Sequence, residues 1–199
     1  MEKIRSAKEN NVLKINTDNG RYILKQGPEL SGERDRLNWL DGKLLVPRVV
    51  IWREKEGRDD LLMTCVEGED LAQLSKIIPK EDLVNFLATT LRLVHSIDIS
   101  DCPFEKIEKG FVFTHGDACL PNFMFQNGKL SGIIDLGDAM IGDREIDLAA
   151  AVWSLDFNFG AGLGIPFLQA YGISDPSERD VDRLIRKYES NWSERFRSN

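Results

Sequence analysis

The sequence predicts an α+β fold in two parts, in which a small antiparallel sheet is followed by a mainly helical region. Short apolar runs separated by turn signals occupy the first third of the 199 residues. Apolar residues at helical spacing dominate the remainder, where a single β-hairpin pattern interrupts them. We therefore expect two lobes, the first over residues 1–66 and the second over residues 67–199.

The first lobe is predicted to hold four strands and one helix. The strands are the apolar runs at residues 12–15, 22–24, 47–52 and 61–65. The sequence Asn19-Gly20 between the first two runs is a strong signal for a tight hairpin turn. A helix is predicted over residues 31–40, with Ser31 as its N-cap and Gly42 ending it.

The second lobe is predicted to begin with a helix that starts at Pro79. Four apolar residues recur in it near helical period: Leu83, Leu87, Leu91 and Val94. A hairpin follows, in which Asn127-Gly128 turns the run at 123–125 onto the run at 130–134. Further helices are expected to start near Asp143 or Asp147 and near Asp175.

Composition excludes several classes of function. The chain has 33 acidic and 26 basic side chains, giving a formal net charge of -7, so nucleic acid and anionic membranes are not expected partners. A cationic partner fits this charge better. The three cysteines lack the close spacing of a zinc site or disulfide framework, which indicates buried thiols in a reducing compartment, and we expect the chain in the cytoplasm. No apolar run is long enough to cross a bilayer.

The densest group of chemically distinctive residues begins at His115-Gly116-Asp117. Asn122 lies five positions beyond the aspartate, and Asp135 follows an apolar strand. Kinases use this layout, with one carboxylate orienting the attacking hydroxyl while an amide and a second carboxylate hold Mg²⁺. Taken singly, either aspartate is more typical of a loop acid that caps a turn. His115 is expected to orient the loop through hydrogen bonds and not to act as a base.

Kinase chemistry also requires a cation on the nucleotide phosphates, held by an acid from a nearby helix. Lys25 at the end of the second strand and Glu33 in the first turn of the following helix meet this requirement. The alternative is a solvated lysine at a strand end and a glutamate that interacts with the helix dipole.

The segment His115-Gly116-Asp117-Ala118-Cys119-Leu120-Pro121-Asn122 resembles the catalytic loop of the aminoglycoside phosphotransferase family, especially its 3′-phosphotransferases. Similarity extends to other motifs along most of the chain. These are His95-Ser96-Ile97-Asp98, Ile134-Asp135-Leu136-Gly137, Gly142-Asp143-Arg144 and Asp147-Leu148-Ala149.

The resemblance implies a bilobal protein-kinase-like fold that binds ATP between its lobes. Asp117 would be the catalytic acid-base, and Asn122 and Asp135 would hold Mg²⁺. Residues 63–66 would form the adenine-binding hinge, and residues 6–10 would occupy the phosphate-loop position. The implied cofactor-binding residues are Ser6, Ala7, Lys25, Glu33, Thr64, Val66 and Ile134.

The sequence departs from the family pattern in three places. The phosphate loop contains no glycine and carries Glu9. Only residues 105–114 separate Phe104 from His115, where family members carry additional helices beside the substrate cleft. Asp156 is the single carboxylate at the place of an acidic pair that binds aminoglycoside amines. The motif match places Arg144 on the substrate side of the cleft. A salt bridge with a neighbouring acid explains an arginine at this position equally well.

The sequence thus predicts an ATP- and Mg²⁺-dependent phosphotransferase acting on a hydroxyl of a small cationic molecule. An aminoglycoside 3′-hydroxyl is the leading acceptor. The alternatives are a kinase of another small-molecule alcohol and a non-catalytic pseudokinase that only binds nucleotide. We expect a second copy of the chain to cover apolar surface left by the absent helices, forming a homodimer.

Overall fold

The computed structural model describes residues 2–7, 10–104 and 110–197 and has the predicted bilobal, kinase-like architecture. The first lobe is a five-stranded antiparallel sheet in the order β1-β2-β3-β5-β4. Its strands are β1 (Glu2–Ala7), β2 (Asn10–Thr17), β3 (Gly20–Gly27), β4 (Val49–Arg53) and β5 (Asp59–Thr64). The four predicted strands are therefore confirmed within a few residues, while β1 was not predicted.

The helix of the first lobe, α1 (Ser31–Leu40), packs its apolar face inward through Leu37 and Leu40. The prediction that Ser31 is its N-cap is wrong, because Leu30 occupies that position and no side chain caps the helix. Instead, the Leu30 backbone N–H donates to the buried carboxylate of Asp59 at 3.1 Å. A tertiary contact thus replaces the local cap that the sequence suggested.

The second lobe is mainly helical and contains one hairpin and two short strand pairings. Its helices are α2 (Leu71–Leu74), α3 (Lys80–His95), α4 (Glu145–Phe159), α5 (Gly164–Tyr171) and α6 (Glu178–Arg197). Its strands are β6 (Glu69–Asp70), β7 (Val112–Thr114), β8 (Phe123–Gln126), β9 (Lys129–Ile133) and β10 (Met140–Gly142). In the described parts of the chain, no helix has the length and apolar character needed to cross a membrane.

Helix α3 supplies much of the core of this lobe. The predicted apolar residues at 83, 87, 91 and 94 are all fully buried, because their spacing puts them on one face of the helix. Each such side chain contributes roughly 1.5–3 kcal/mol when removed from water. The helix carries Glu81 and Asp82 in its first turn and Arg92 and His95 in its last, which complements its dipole.

The hairpin β8–β9 turns at Asn127-Gly128, as predicted. Both residues adopt positive φ, at 53° and 72°, which is the conformation that a two-residue type I′ turn requires. The end of β9 contacts the first lobe, since the Ile133 amide donates to the Leu45 carbonyl at 2.8 Å. The hairpin therefore places the residues on either side of it close to the boundary between the lobes.

Candidate active site

The predicted catalytic loop lies between β7 and β8 and is tied together by its own polar groups. The Asn122 side-chain Nδ2 donates to the Asp117 backbone oxygen at 2.8 Å and to its carboxylate Oδ2 at 3.2 Å. The Asn122 amide donates to the Cys119 carbonyl at 3.0 Å. The structure thus brings Asp117 and Asn122 side by side, as their spacing predicted.

His115 is fully buried beneath this loop. Its Nε2 lies 3.0 Å from the Ile134 carbonyl oxygen, and its Nδ1 accepts from the Asp117 amide at 3.3 Å. His115 therefore orients the loop, which confirms the prediction that it is structural.

Asp135 follows β9 and reaches the loop from the other side of the hairpin. The amide of its neighbour Ile134 donates to the Asn122 carbonyl at 3.0 Å, which fixes the two segments together. Asp135 adopts a left-handed backbone with φ of 61°, a conformation that aspartate adopts more readily than most non-glycine residues. Its side chain is 46% exposed, and its Oδ1 contacts Lys25.

Lys25 joins the two lobes at this point. Its Nζ lies 2.6 Å from Glu33 Oε1 and 2.8 Å from Asp135 Oδ1. Burial alone would lower the pKa of Lys25, but the two carboxylates outweigh it and hold that pKa above its ordinary value. The ammonium is therefore charged and directed toward the space beside Asp135. The predicted pairing of Lys25 with Glu33 is confirmed.

Asp147, at the start of α4, binds the backbone of the catalytic loop through its carboxylate. Its carboxylate is fully buried and accepts from the His115 amide at 2.7 Å and the Gly116 amide at 2.8 Å. His95 Nε2 lies 3.0 Å from the same carboxylate, and His95 Nδ1 lies 2.7 Å from the Tyr171 hydroxyl. Three helices, α3, α4 and α5, therefore hold the backbone that carries Asp117.

The other predicted nucleotide contacts lie along the first sheet. Thr64 ends β5, where its amide donates to the Arg48 carbonyl at 2.9 Å and its hydroxyl accepts from the Arg48 amide at 2.9 Å. Val66 packs against Gly132, where an added Cβ would meet its Cγ1 at 2.7 Å. Ser6 and Ala7 pair with Asn11 and Asn10 on β2, while Lys8 and Glu9 lie outside the described residues.

The side chains of Asn122 and Asp135 offer oxygen donors of the kind that Mg²⁺ prefers. Asn122 is buried and both of its Nδ2 contacts go to Asp117, which directs its amide oxygen away from that residue. Among the residues described, no group of three or more His, Cys, Asp or Glu forms a metal cluster. These two side chains fit Mg²⁺, which keeps further coordination positions for phosphate or water oxygens.

The sequence profile described as "Phosphotransferase enzyme family" matches residues 1–110 and 108–184. The chain belongs to this family. An aminoglycoside 3′-phosphotransferase of Niallia circulans is 30% identical over 79% of this chain and 77% of its own length. One from Enterococcus faecalis is 29% identical over 66% of this chain and 67% of its own. The partial coverage of these relatives fits a shortened form of the family.

Solved structures of family members share the fold. A type VIII aminoglycoside 3′-phosphotransferase superposes with a TM-score of 0.72 at 21% identity, covering 94% of this chain and 91% of that one. An aminoglycoside phosphotransferase of Streptomyces rimosus, solved with ADP and streptomycin, gives 0.69 at 21% identity, covering 87% and 92%. These likenesses establish a kinase-like fold for the chain.

The two predicted substrate residues lie apart. Arg144 directly precedes α4 and Asp156 lies in its last turns, about 18 Å away at 1.5 Å per residue. Arg144 lines a cavity of about 420 Å³ with Arg183 and Asp180, and Asp156 lines a separate one of about 50 Å³. A salt bridge between Arg144 and Glu145 is not formed, because Glu145 pairs with Arg183 and Lys187 instead.

Sequence reasoning missed several residues that lie beside the predicted site residues. Glu178 and Asp182 line the same small cavity as Asp156, which makes three carboxylates where the family comparison suggested one. Tyr188 on α6 reaches Asp117, with its hydroxyl 3.3 Å from Oδ1. No local motif signals these contacts, because they depend on how α6 packs along α4. Asp147 and His95, by contrast, lie within motifs that the sequence had already singled out.

Proposed function

We propose that this chain transfers the γ-phosphoryl group of ATP to a hydroxyl of a small cationic molecule, with an aminoglycoside 3′-hydroxyl as the leading acceptor. One observation carries the proposal. Lys25, anchored by Glu33, contacts Asp135, and Asp135 adjoins the loop on which Asp117 and Asn122 touch each other. This is the set of groups that phosphoryl transfer requires, on a chain that belongs to a phosphotransferase family.

In this proposal Asp117 orients the acceptor hydroxyl and takes its proton as the bond to phosphorus forms. Lys25 restrains the phosphates of the nucleotide, and Asn122 and Asp135 would hold Mg²⁺. When bound, the metal neutralises charge on the transferred group and on the leaving ADP. The protein contributes mainly positioning, which the buried contacts of His115 and Asp147 provide.

Adenine would lie against the hinge at residues 63–66, with the Thr64 carbonyl and the Val66 backbone as its polar contacts. The half-buried side chain of Ile134 would cover the base from the second lobe. Ser6 and Ala7 would cover the phosphates through the backbone of β1. The register supports this placement, because Ser6 pairs with Asn11 and Asn11 pairs with Gln26, next to Lys25.

The acidic cavity supports a cationic acceptor. Asp156 on α4 and Glu178 and Asp182 on α6 line one small space. Asp182 precedes Tyr188 by six residues, which is about 9 Å along the helix. We propose that an ammonium group of the acceptor binds among these three carboxylates. We propose Arg144, which lines the separate cavity at the start of α4, as a second contact for a larger acceptor.

An acceptor panel tests this function. The purified chain would be incubated with ATP and Mg²⁺ and with kanamycin, an uncharged sugar of similar size, or a simple amino alcohol. We expect phosphorylated kanamycin as the major product, with catalytic efficiency falling about tenfold in Asp182→Asn through a raised KM. Asp175→Asn, an exposed aspartate outside the cavity, serves as the matched control. Product from the uncharged sugar alone would reject the cationic acceptor.

A second candidate is a kinase of another small-molecule alcohol. It is favoured by the aromatic surface beside Asp117, where Tyr188 packs against Trp153 at a tilt and Trp153 stacks on the 73% exposed Phe157. Aromatic faces bind many kinds of ring. The same panel separates the two candidates by product. A pseudokinase would show no product, and calorimetry would find ATP binding that is absent or does not depend on Mg²⁺.

We make three further proposals, on the lobe boundary, the cellular compartment and the oligomeric state. We place the lobe boundary between residues 66 and 67, because the Cys65 amide still bonds the first sheet at Arg21 while the Glu67 carbonyl accepts from Ser131 on the hairpin. The three cysteines are free thiols, half-buried and not buried as predicted, and we propose a reducing cytoplasm as their compartment. A homodimer would cover exposed apolar residues such as Phe157.

A further inference from the structure

The carboxylate proposed as the base already has a hydroxyl within reach. Tyr188 Oη donates to Asp117 Oδ1 at 3.3 Å, and Cys119 Sγ lies 3.1 Å from the same oxygen. The other carboxylate oxygen, Oδ2, faces the Asn122 amide. A general base must lie within hydrogen-bond reach of the proton that it removes, and such bonds are often long before the reaction complex forms. Tyr188 therefore stands where an acceptor hydroxyl is expected.

This placement is fixed by packing on both sides of the tyrosine. Arg183 and Lys187, on the same helix, bind the Glu145 carboxylate of α4 at distances between 2.8 and 3.0 Å. The Tyr188 ring lies on Trp153, with ring centroids 4.8 Å apart. Two ion pairs and an aromatic contact thus set the register of α6 so that the phenol points at Asp117.

The protonation state also suits an acceptor. Burial raises the pKa of Tyr188, and the neighbouring Cys119 and Asp117 raise it further. The phenol is therefore protonated at neutral pH and donates its hydrogen to the carboxylate, as a kinase acceptor does before transfer. Of the three tyrosines in the chain, the Tyr22 hydroxyl donates to the Asn19 carbonyl at 3.5 Å and the Tyr171 hydroxyl contacts His95, whereas the Tyr188 hydroxyl contacts Asp117.

We propose that Tyr188 is an internal phosphoryl acceptor, so that the chain phosphorylates its own C-terminal helix at this position. The inference rests on the proposed kinase function. Tyr188 Oη forms a bond to the γ-phosphorus of ATP, the bond from that phosphorus to the bridging oxygen of ADP breaks, and Asp117 takes the phenolic proton. The products are phosphotyrosine, ADP and a proton that Asp117 releases to solvent.

The reaction would occur within one molecule. Tyr188 is half-buried between α4 and the catalytic loop, so its hydroxyl is accessible to its own Asp117 and not to that of another copy. The fraction of chains labelled per minute should therefore not depend on protein concentration.

Intact-mass spectrometry after incubation with ATP and Mg²⁺, without any added acceptor, tests the proposal. We expect the wild-type chain to gain one phosphate, which tandem mass spectrometry assigns to Tyr188. Tyr188→Phe should show no gain, and Asp117→Asn should be slower by about 10²-fold or more, the usual contribution of a general base. Tyr22→Phe, which keeps a hydroxyl at 188, is the matched control and should be labelled like wild type.

A parallel incubation with kanamycin keeps the two proposals distinguishable. If the chain phosphorylates kanamycin while Tyr188 remains unmodified, the inference is overturned and the proposed function stands. Phosphate on another residue, or labelling that rises with protein concentration, also overturns it. If neither kanamycin nor the protein is phosphorylated, the proposed function fails and this inference fails with it.

Discussion

Replacing Asp147 by asparagine should lower both the free energy of unfolding and the catalytic turnover, each through a different effect. The carboxylate is fully buried and accepts three hydrogen bonds, from two catalytic-loop amides and from His95. Asparagine has nearly the same shape but only one accepting oxygen. Its NH₂ group would therefore face a backbone N–H or the imidazole N–H, leaving two donors opposed in a buried space.

The expected loss of stability follows from these contacts. A hydrogen bond to a charged group contributes about 1.5–3 kcal/mol to stability. The asparagine variant loses at least one of the three bonds, and the bonds that remain are to a neutral oxygen. Loss of the buried charge offsets part of this, so we expect a net loss of about 3 kcal/mol. For a chain of this size, that corresponds to a fall in Tm of roughly 6–12 °C.

Urea denaturation and steady-state kinetics check the two effects separately. Turnover should fall by about 10²-fold below the unfolding temperature, because a displaced loop misplaces Asp117. The KM for ATP should change little, since Lys25 and Glu33 hold each other in the first lobe. Asp175→Asn, on an exposed loop, should match wild type in both assays. An Asp147→Asn protein with wild-type stability and turnover would refute this account of the loop.

Three other predictions concern the same region. Gly116→Ala should lower the free energy of unfolding by several kcal/mol and abolish phosphoryl transfer. The backbone φ of Gly116 is 84°, and the new Cβ would lie 2.2 Å from the Asp138 carbonyl oxygen. A variant with wild-type thermal stability would contradict this prediction. Ser154→Ala should lower the free energy of unfolding by about 1 kcal/mol, since the Leu120 amide loses its 3.1 Å partner; urea titration measures this. Glu145→Gln should cost about 1 kcal/mol at pH 7. Cationic partners lower the pKa of Glu145 from 4.5 to about 2, so this difference should disappear as the pH falls through that range, and a constant difference would contradict it.

The fold was largely predictable because its signals are local. Strand runs, the Asn127-Gly128 turn and the helical spacing of α3 each follow from a few neighbouring residues. The prediction failed where tertiary contacts replaced local ones, as at Ser31, where Asp59 binds the start of the helix. Strand β1 was missed because residues 2–7 lack the apolar run that marked the other strands.

The candidate site was predictable to the extent that its residues share a loop or a known motif. Asp117, Asn122 and Asp135 surround a single hairpin, so their proximity follows from the sequence. Lys25 and Asp135 are 110 positions apart, and only the family resemblance suggested that they share a site. The contacts of Tyr188 and Asp182 could not be predicted, because they depend on the packing of α6 against α4.

The central claim is that Asp117 serves phosphoryl transfer from ATP to a small-molecule hydroxyl, and turnover by Asp117→Ala tests it most directly. Phosphorylated kanamycin would be measured with wild type and variant, alongside the Kd for ATP with Mg²⁺. We expect transfer to be abolished while the Kd changes little, because the nucleotide contacts lie on Lys25, Asn122, Asp135 and the hinge. Comparable turnover by the variant would contradict the account.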